Sequence, residues 1–176
     1  MNGVHRLRDR TLRPWKNGGG KTAEIAVSPP GAGFDDFDWR ISTALVASDG
    51  PFSTFPGVDR VLTVVEGGPM VLTIDGHDHR LDARSPPLAF PGDATCAARL
   101  CGPPLLDFNV LLRRPLAARV RKGPLHPAGG GARARLALLL EDRAGLSRLD
   151  LVNLDAAGPQ LAAALAGVQA ISVEIG

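Results

Sequence analysis

Cysteine occurs at only two positions, Cys96 and Cys101, so neither a disulfide framework nor a four-cysteine zinc site can be built from this chain. Their five-residue spacing on a strand would point them to opposite faces, and both are expected to be buried free thiols. Long apolar runs are missing too: Leu136–Leu140 is the longest aliphatic stretch, far short of the roughly 20 residues a membrane helix needs. The first ten residues are charged and contain no apolar segment of a leader, which points to a cytoplasmic protein without a membrane partner. Charge of one sign is lacking as well. Twenty Lys and Arg stand against 18 Asp and Glu, and the arginines are scattered, so the net charge of +2 argues against nucleic acid as a partner. His5 and His126 are isolated, and no Ser or Cys has a convincing His partner, which leaves covalent nucleophilic catalysis without support.

Lysine is scarce, at three residues against 17 arginines, yet Lys16 and Lys21 bracket the glycines of Trp15-Lys16-Asn17-Gly18-Gly19-Gly20-Lys21-Thr22-Ala23-Glu24. Three successive glycines carry a cost in backbone entropy that implies a geometric need. Gly20-Lys21-Thr22 invites a phosphate-loop reading, but that motif needs a glycine where this chain has Trp15, and a helix after it. The residues that follow alternate like a strand. Two readings remain: a turn that lets Lys16 and Asn17 lean over a cavity mouth, or an ordinary hairpin loop.

At 176 residues and 44% apolar content the chain is long enough for one well-buried core or two small packed halves. Pro, Gly and Asp punctuate its first two thirds at the spacing of an all-β sandwich or barrel. Strands are predicted at Thr22–Val27, Asp38–Ala44, Arg60–Val65, Met70–Ile74, His77–Leu81, Leu88–Phe90, Thr95–Leu100 and Asp107–Leu112, with Asp75-Gly76 as a tight turn. Alternation in Asp38–Ala44 sends Arg40, Ser42 and Ala44 one way and Trp39, Ile41 and Thr43 the other, and the polar face can line a cavity. Arg113-Arg114-Pro115 closes this first body, residues 1–115. Residues 116–176, richer in Ala, Arg and Leu and interrupted by a flexible Gly129-Gly130-Gly131, are read as a second, degenerate β part. Its strands are predicted at Arg133–Leu140, Leu146–Val152 and Ala170–Ile175, and its one helix at Pro159–Ala166, with Pro first and Gly167 past the end.

His77-x-His79 puts two imidazoles on one strand face but at a hairpin tip and without a third ligand, so solvated histidines are the stronger reading. Glu24, Asp59, Glu66, Asp93 and Asp107 could supply acid–base chemistry if a barrel gathers two of them. Asp59-Arg60 and Asp107-x-Asn109 read equally as ion pairs or turn caps.

The motifs Trp15-Lys16-Asn17-Gly18-Gly19-Gly20-x-Thr22-x-Glu24, Phe37-Asp38-Trp39-Arg40-Ile41-Ser42, Asp49-Gly50-Pro51-Phe52-Ser53, Phe55-Pro56-Gly57-x-Asp59-Arg60, Phe90-Pro91-Gly92-Asp93 and Asp107-Phe108-Asn109-Val110 resemble the HutD/Ves family over roughly residues 4–114. The resemblance implies an all-β, cupin-type barrel, described in that family as a two-barrel arrangement. It also implies a link to histidine utilisation, where a regulatory role through sensing an intermediate such as N-formylglutamate has been proposed, or to stress induction. Metal-binding cupins place two histidines and a glutamate ahead of a hairpin glycine. Laid on Gly67, that frame puts Ser53 and Phe55 in the histidine slots and Arg60 in the glutamate slot, so no metal cofactor is expected.

An arginine in place of a cation-binding carboxylate suits an anion, and a small carboxylate is the expected ligand. Lys16, Arg40 and Arg60 would meet it; Asn17, Gly18, Thr22, Glu24, Ser42, Asp59, Asp107 and Asn109 would fix its other polar groups; Trp15, Trp39 and Phe55 would wall it. The alternative for Arg60 is a purely structural pairing with Asp59, Glu24 or Asp107. The rival function is a metal-independent isomerase, lyase or hydrolase with Glu24 or Asp107 as base. A pocket carboxylate with a raised pKa would favour the enzyme, and carboxylates that are all ionised and paired would favour binding. A homodimer is left open.

Overall fold

The computed structural model describes residues 3–126 and 131–176. The flexible stretch expected at Gly129 and Gly130 lies outside the described residues. In chain order the strands are β1 (Val4–His5), β2 (Arg13–Pro14), β3 (Gly20–Ser28), β4 (Trp39–Val46), β5 (Gly50–Pro51), β6 (Val58–Gly67), β7 (Met70–Ile74), β8 (His77–Leu81), β9 (Leu88–Pro91), β10 (Cys96–Leu100) and β11 (Leu105–Arg113). They are followed by β12 (Ala118–Pro124), β13 (Ala134–Leu139), β14 (Leu151–Asn153), the helix α1 (Pro159–Ala164) and β15 (Gln169–Ile175). Among the described residues no helix is long and apolar enough to cross a membrane.

The chain divides into two compact units, one of residues 11–115 and one of the first ten residues with 116–176. In the first, a six-stranded antiparallel sheet ordered β2-β3-β4-β11-β6-β9 faces a four-stranded sheet ordered β5-β10-β7-β8. The reason is the period of two in the sequence: Val46, Leu62, Val64, Leu105 and Phe90 from the larger sheet meet Met70, Leu72, Ile74, Leu81, Cys96 and Ala98 from the smaller one in a single apolar layer. Each such aliphatic side chain contributes about 1.5–3 kcal/mol on leaving water. Cys101 departs from the expectation of two buried thiols. It falls just past the end of β10 and is exposed, whereas Cys96, inside the strand, is buried.

The second unit is one five-stranded sheet, β1-β14-β13-β15-β12, with α1 packed on it through Leu161 and Leu165, and Val168 just beyond the helix. Among the described residues it is a single sheet rather than a closed second barrel. Val4 and His5 pair with Val152 and Leu151, so the opening residues belong with this unit. Asp150 fixes them: it is 1% exposed and accepts hydrogen bonds from the Leu7 amide (2.7 Å), Arg6 (3.0 Å) and the Ser147 amide (3.0 Å). Arg10 donates to the Leu149 carbonyl, and burial draws its guanidinium down to about 10 against the pull of Asp150. The strand predicted over Leu146–Val152 is shorter than that, since Leu149 takes a positive φ of 70° and the Asp150 amide closes a turn on Ser147. The helix ends at Ala164, two residues early, with Leu165 as its cap, and Gly167, at φ 78°, turns the chain into β15. β12 has no counterpart in the sequence reading, although it pairs with β15 over its full length.

Candidate functional site

Residues paired across neighbouring strands share a face, so the register sorts the polar side chains of the six-stranded sheet. Arg40, Leu111 and Arg60 form one row; Ser42, Asn109 and Leu62 the next; Ala44, Asp107 and Val64 the third. Glu24 pairs with Ser42 and Thr22 with Ala44, while Phe90 lies beside Arg60. Because Leu62, Val64 and Phe90 belong to the layer between the sheets, this is the inner face. Trp39 and Asp59 both pair with Leu112 and take the opposite face, as the pleat demands of residues next to Arg40 and Arg60. Neither reaches the interior, and Asp59 instead accepts a 2.9 Å bond from Arg114.

Arg60, on β6, is 6% exposed. Its guanidinium donates to the Ser53 carbonyl (3.2 Å) and to Asn109 Oδ1 (3.1 Å), and its carbon stands 5.6, 5.5 and 5.2 Å from the ring centres of Phe52, Phe55 and Phe90. Its Nε has no partner. Burial draws this guanidinium below the usual arginine range, and Cys96 and Asp107 pull the other way. Asn109 passes the contact on, donating from Nδ2 to Asp107 Oδ1 at 2.5 Å. Asp107 is fully buried and its Oδ2 has no partner. Burial pushes its carboxyl up to about 7, opposed by Arg60, the Ala44 amide and Asn109. Across the sandwich, burial pushes the Cys96 thiol up to about 11.

Arg40 forms an ion pair with Glu24 and keeps one buried nitrogen, Nη1, without a partner. Over it lies Phe34, which the sequence reading did not single out, with its ring centre 4.0 Å from the guanidinium carbon. Phe34 is 59% exposed and nearly parallel to Phe55, 6.0 Å between ring centres and 17° between planes. Its loop is fixed from below by Arg113, which donates to the carbonyls of Phe34, Asp35 and Phe37. The available signal was an aromatic in the Gly- and Pro-rich link leading into the strand of Arg40.

The glycine stretch takes the ordinary turn reading. Gly18 occupies the left-handed region (φ 72°), the Gly19 amide donates to Asn17 Oδ1 (2.9 Å), and Gly20 leaves no room for a Cβ, which would stand 2.4 Å from the Leu45 carbonyl oxygen. Lys16 and Asn17 are exposed, and the Asn17 side chain serves its own turn. Trp15 does reach the interior: Nε1 donates to Thr22 Oγ1 (2.7 Å) and the indole meets Phe52 edge-on at 5.8 Å. A depression of about 330 Å³ beside Phe52, lined also by Thr54, Thr73, Thr95 and Cys96, has no charged side chain, so the polar chemistry lies with Arg60. His77 is exposed at its hairpin tip, bonded to the Asp75 carbonyl. Among the described residues no three His, Cys, Asp or Glu side chains converge. Arg60 offers a guanidinium ringed by the phenyl groups of Phe52, Phe55 and Phe90, a donor set that does not fit a metal ion.

Fold and interior define a cupin-like β-sandwich with a buried arginine, Arg60, on the inner face of its larger sheet. The HutD family model matches residues 7–162, and the chain belongs to the HutD family. It is similar to a conserved protein of unknown function from Pseudomonas aeruginosa PAO1 (TM-score 0.78, 31% identity, covering 98% of this chain and 97% of that one). It is likewise similar to HutD from Pseudomonas fluorescens SBW25, in a structure from a formate condition (TM-score 0.76, 33% identity, 98% and 96% covered). Protein Ves from Citrobacter koseri is 41% identical over 110 residues, covering 61% of this chain and 56% of Ves. The chain spans little more than half the length of the curated relatives it matches, 55% and 56%.

Proposed function

We propose that this protein binds a small carboxylate metabolite without metal and serves as a sensor or regulator in histidine utilisation or a stress response. Arg60 carries the reading. A buried guanidinium normally has an anionic partner in direct contact, and of the three carboxylates on hand Asp59 pairs with Arg114, Glu24 pairs with Arg40, and Asp107, whose charge Arg60 feels, reaches it only through Asn109. Arg60 makes no ion pair among the described residues. A carboxylate arriving at its free Nε would supply a direct ion-pair partner, with Phe52, Phe55 and Phe90 as apolar walls. Arg40 would be the second contact once Glu24 releases it, and Lys16, exposed at the turn, is not required. The regulatory role rests on the family's link to histidine utilisation, and the formate condition of the similar HutD structure makes formate the first probe.

The test is a thermal-shift titration with formate, N-formylglutamate, urocanate and histidine. A ligand at a hundred times its dissociation constant adds about 2.7 kcal/mol of stability, and Arg60→Gln should remove the effect. No shift with any of the four counts against the reading. One observation favours the rival. Asp107, lifted to about 7, is a carboxyl poised for proton transfer near neutral pH. Turnover of any of these compounds that disappears in Asp107→Asn would make the protein a metal-independent enzyme.

A further inference from the structure

The same sheet face carries a second buried ionisable group, Asp107. Arg60, Asn109 and Asp107 occupy successive rows and form a chain of hydrogen bonds from guanidinium to amide to carboxyl. Facing Asp107 are Arg60 from β6, the Cys96 thiol from β10, itself within the field of Asp75, and the Ala44 amide from β4. The Glu24–Arg40 pair lies on the same face, two rows away for Arg40. Of these groups, only Asp107 combines complete burial with a carboxyl oxygen that has no donor.

With Asp107 ionised, its charge and that of Arg60 cancel. A carboxylate bound at Arg60 would then leave one net negative charge in a low-dielectric interior, which electrostatics disfavours. With Asp107 protonated, Arg60 and the ligand form a neutral pair and nothing is left over. We propose that the site takes up its carboxylate together with one proton from solvent, which comes to rest on Asp107. No other bond changes: a hydronium or buffer acid gives up the proton, and the carboxylate of Asp107 becomes a carboxylic acid. Release of the ligand returns the proton. The proposal rests on the carboxylate reading of Arg60.

Calorimetry with formate on the full chain tests it, in two buffers of different ionisation enthalpy at about pH 6 and about pH 8. Formate stays ionised at both. The expected result is uptake of close to one proton per formate near pH 8 and much less near pH 6, with affinity falling by up to about tenfold per pH unit above neutrality. In Asp107→Asn the uptake vanishes and the two affinities agree within about twofold. Should that variant fail to fold, carboxyl ¹³C NMR of the wild type follows Asp107 directly, and its titration midpoint must rise when formate saturates the site. Formate binding that Arg60→Gln abolishes, but with no proton uptake near pH 8 or an unmoved midpoint, overturns this proposal alone. Absence of binding, or binding indifferent to Arg60→Gln, overturns the carboxylate reading and this proposal with it.

Discussion

Asp107 has a consequence for stability apart from any ligand. Its carboxyl sits at about 7 in the folded protein against 3.8 for an ordinary aspartate, because burial penalises the charged form. Between those values the folded chain holds a proton that the unfolded chain has lost, so stability falls as pH rises. The favourable contribution is complete below about 4 and gone above about 7, with a slope of at most about 1.4 kcal/mol per pH unit and a total on the order of 4 kcal/mol. Asp107→Asn should flatten this limb, gaining stability over wild type at pH 8 while gaining little at pH 4. Denaturant unfolding across that range checks it, and parallel curves for the two proteins would count against an ionising Asp107. The site itself was partly legible at this scale. Arg40, Ser42, Glu24, Thr22, Arg60, Asn109 and Asp107, all candidates from the sequence, share one face, because strand alternation alone decides which way a side chain points. The same rule sets Trp39 and Asp59 on the opposite face, so neither belongs with them. Phe34 was not legible, since its place over Arg40 depends on a loop that Arg113 fixes from a strand 79 positions away in sequence.

Among the elements, the β2–β3 turn shows how three adjacent glycines can answer different needs. Gly18 has open space around it but a positive φ, so Gly18→Ala should cost about 1 kcal/mol through backbone conformation. Gly20 has an ordinary φ but no space, its would-be Cβ meeting a backbone oxygen and the Trp15 ring. Gly20→Ala must move β4 or the indole and should cost about 1–3 kcal/mol. Chemical denaturation of the two variants should therefore rank Gly20→Ala as the more damaging. The reverse order would mean that the turn, and not the sheet contact, fixes the stretch. Strand identity is readable where apolar alternation runs between marked turns: β7 and β8 fall on their predicted bounds, separated by Asp75-Gly76. β12 was missed because its residues Ala-Arg-Val-Arg-Lys-Gly-Pro carry little apolar content, as befits an outermost strand with one neighbour. Leu146–Asp150 misled because its leucines are buried without being extended, Leu149 turning through a positive φ.

For the whole chain the governing fact is that the second unit is assembled from two separate stretches, residues 1–10 and 116–176. Residues 11–115 hold both sheets of the sandwich, whereas residues 116–176 lack one strand of their own sheet, and β1 supplies it. A boundary near residue 115 is visible in sequence because composition changes there; the return of the first residues is not, since Val4–His5 is a two-residue strand with no turn signal and takes its place from a partner near residue 152. Removing residues 1–10 should thus act on the second unit selectively. It unpairs the edge of β14 and strips from Asp150 the Leu7 amide and the Arg6 guanidinium, leaving a buried carboxylate with the Ser147 amide as its remaining hydrogen-bond donor. Losing partners of a buried charge costs about 3–5 kcal/mol, enough to raise local opening well above the level of the intact chain. Hydrogen exchange should show protection lost first over Leu151–Asn153 and then β13, while β4, β6 and β11 of the sandwich keep theirs. Asp150→Ala should reproduce the pattern in the intact 176-residue chain. Equal loss of protection in β4, β6 and β11 would show that the two units do not open separately, and unchanged protection in β14 would show that the first residues are dispensable to its sheet.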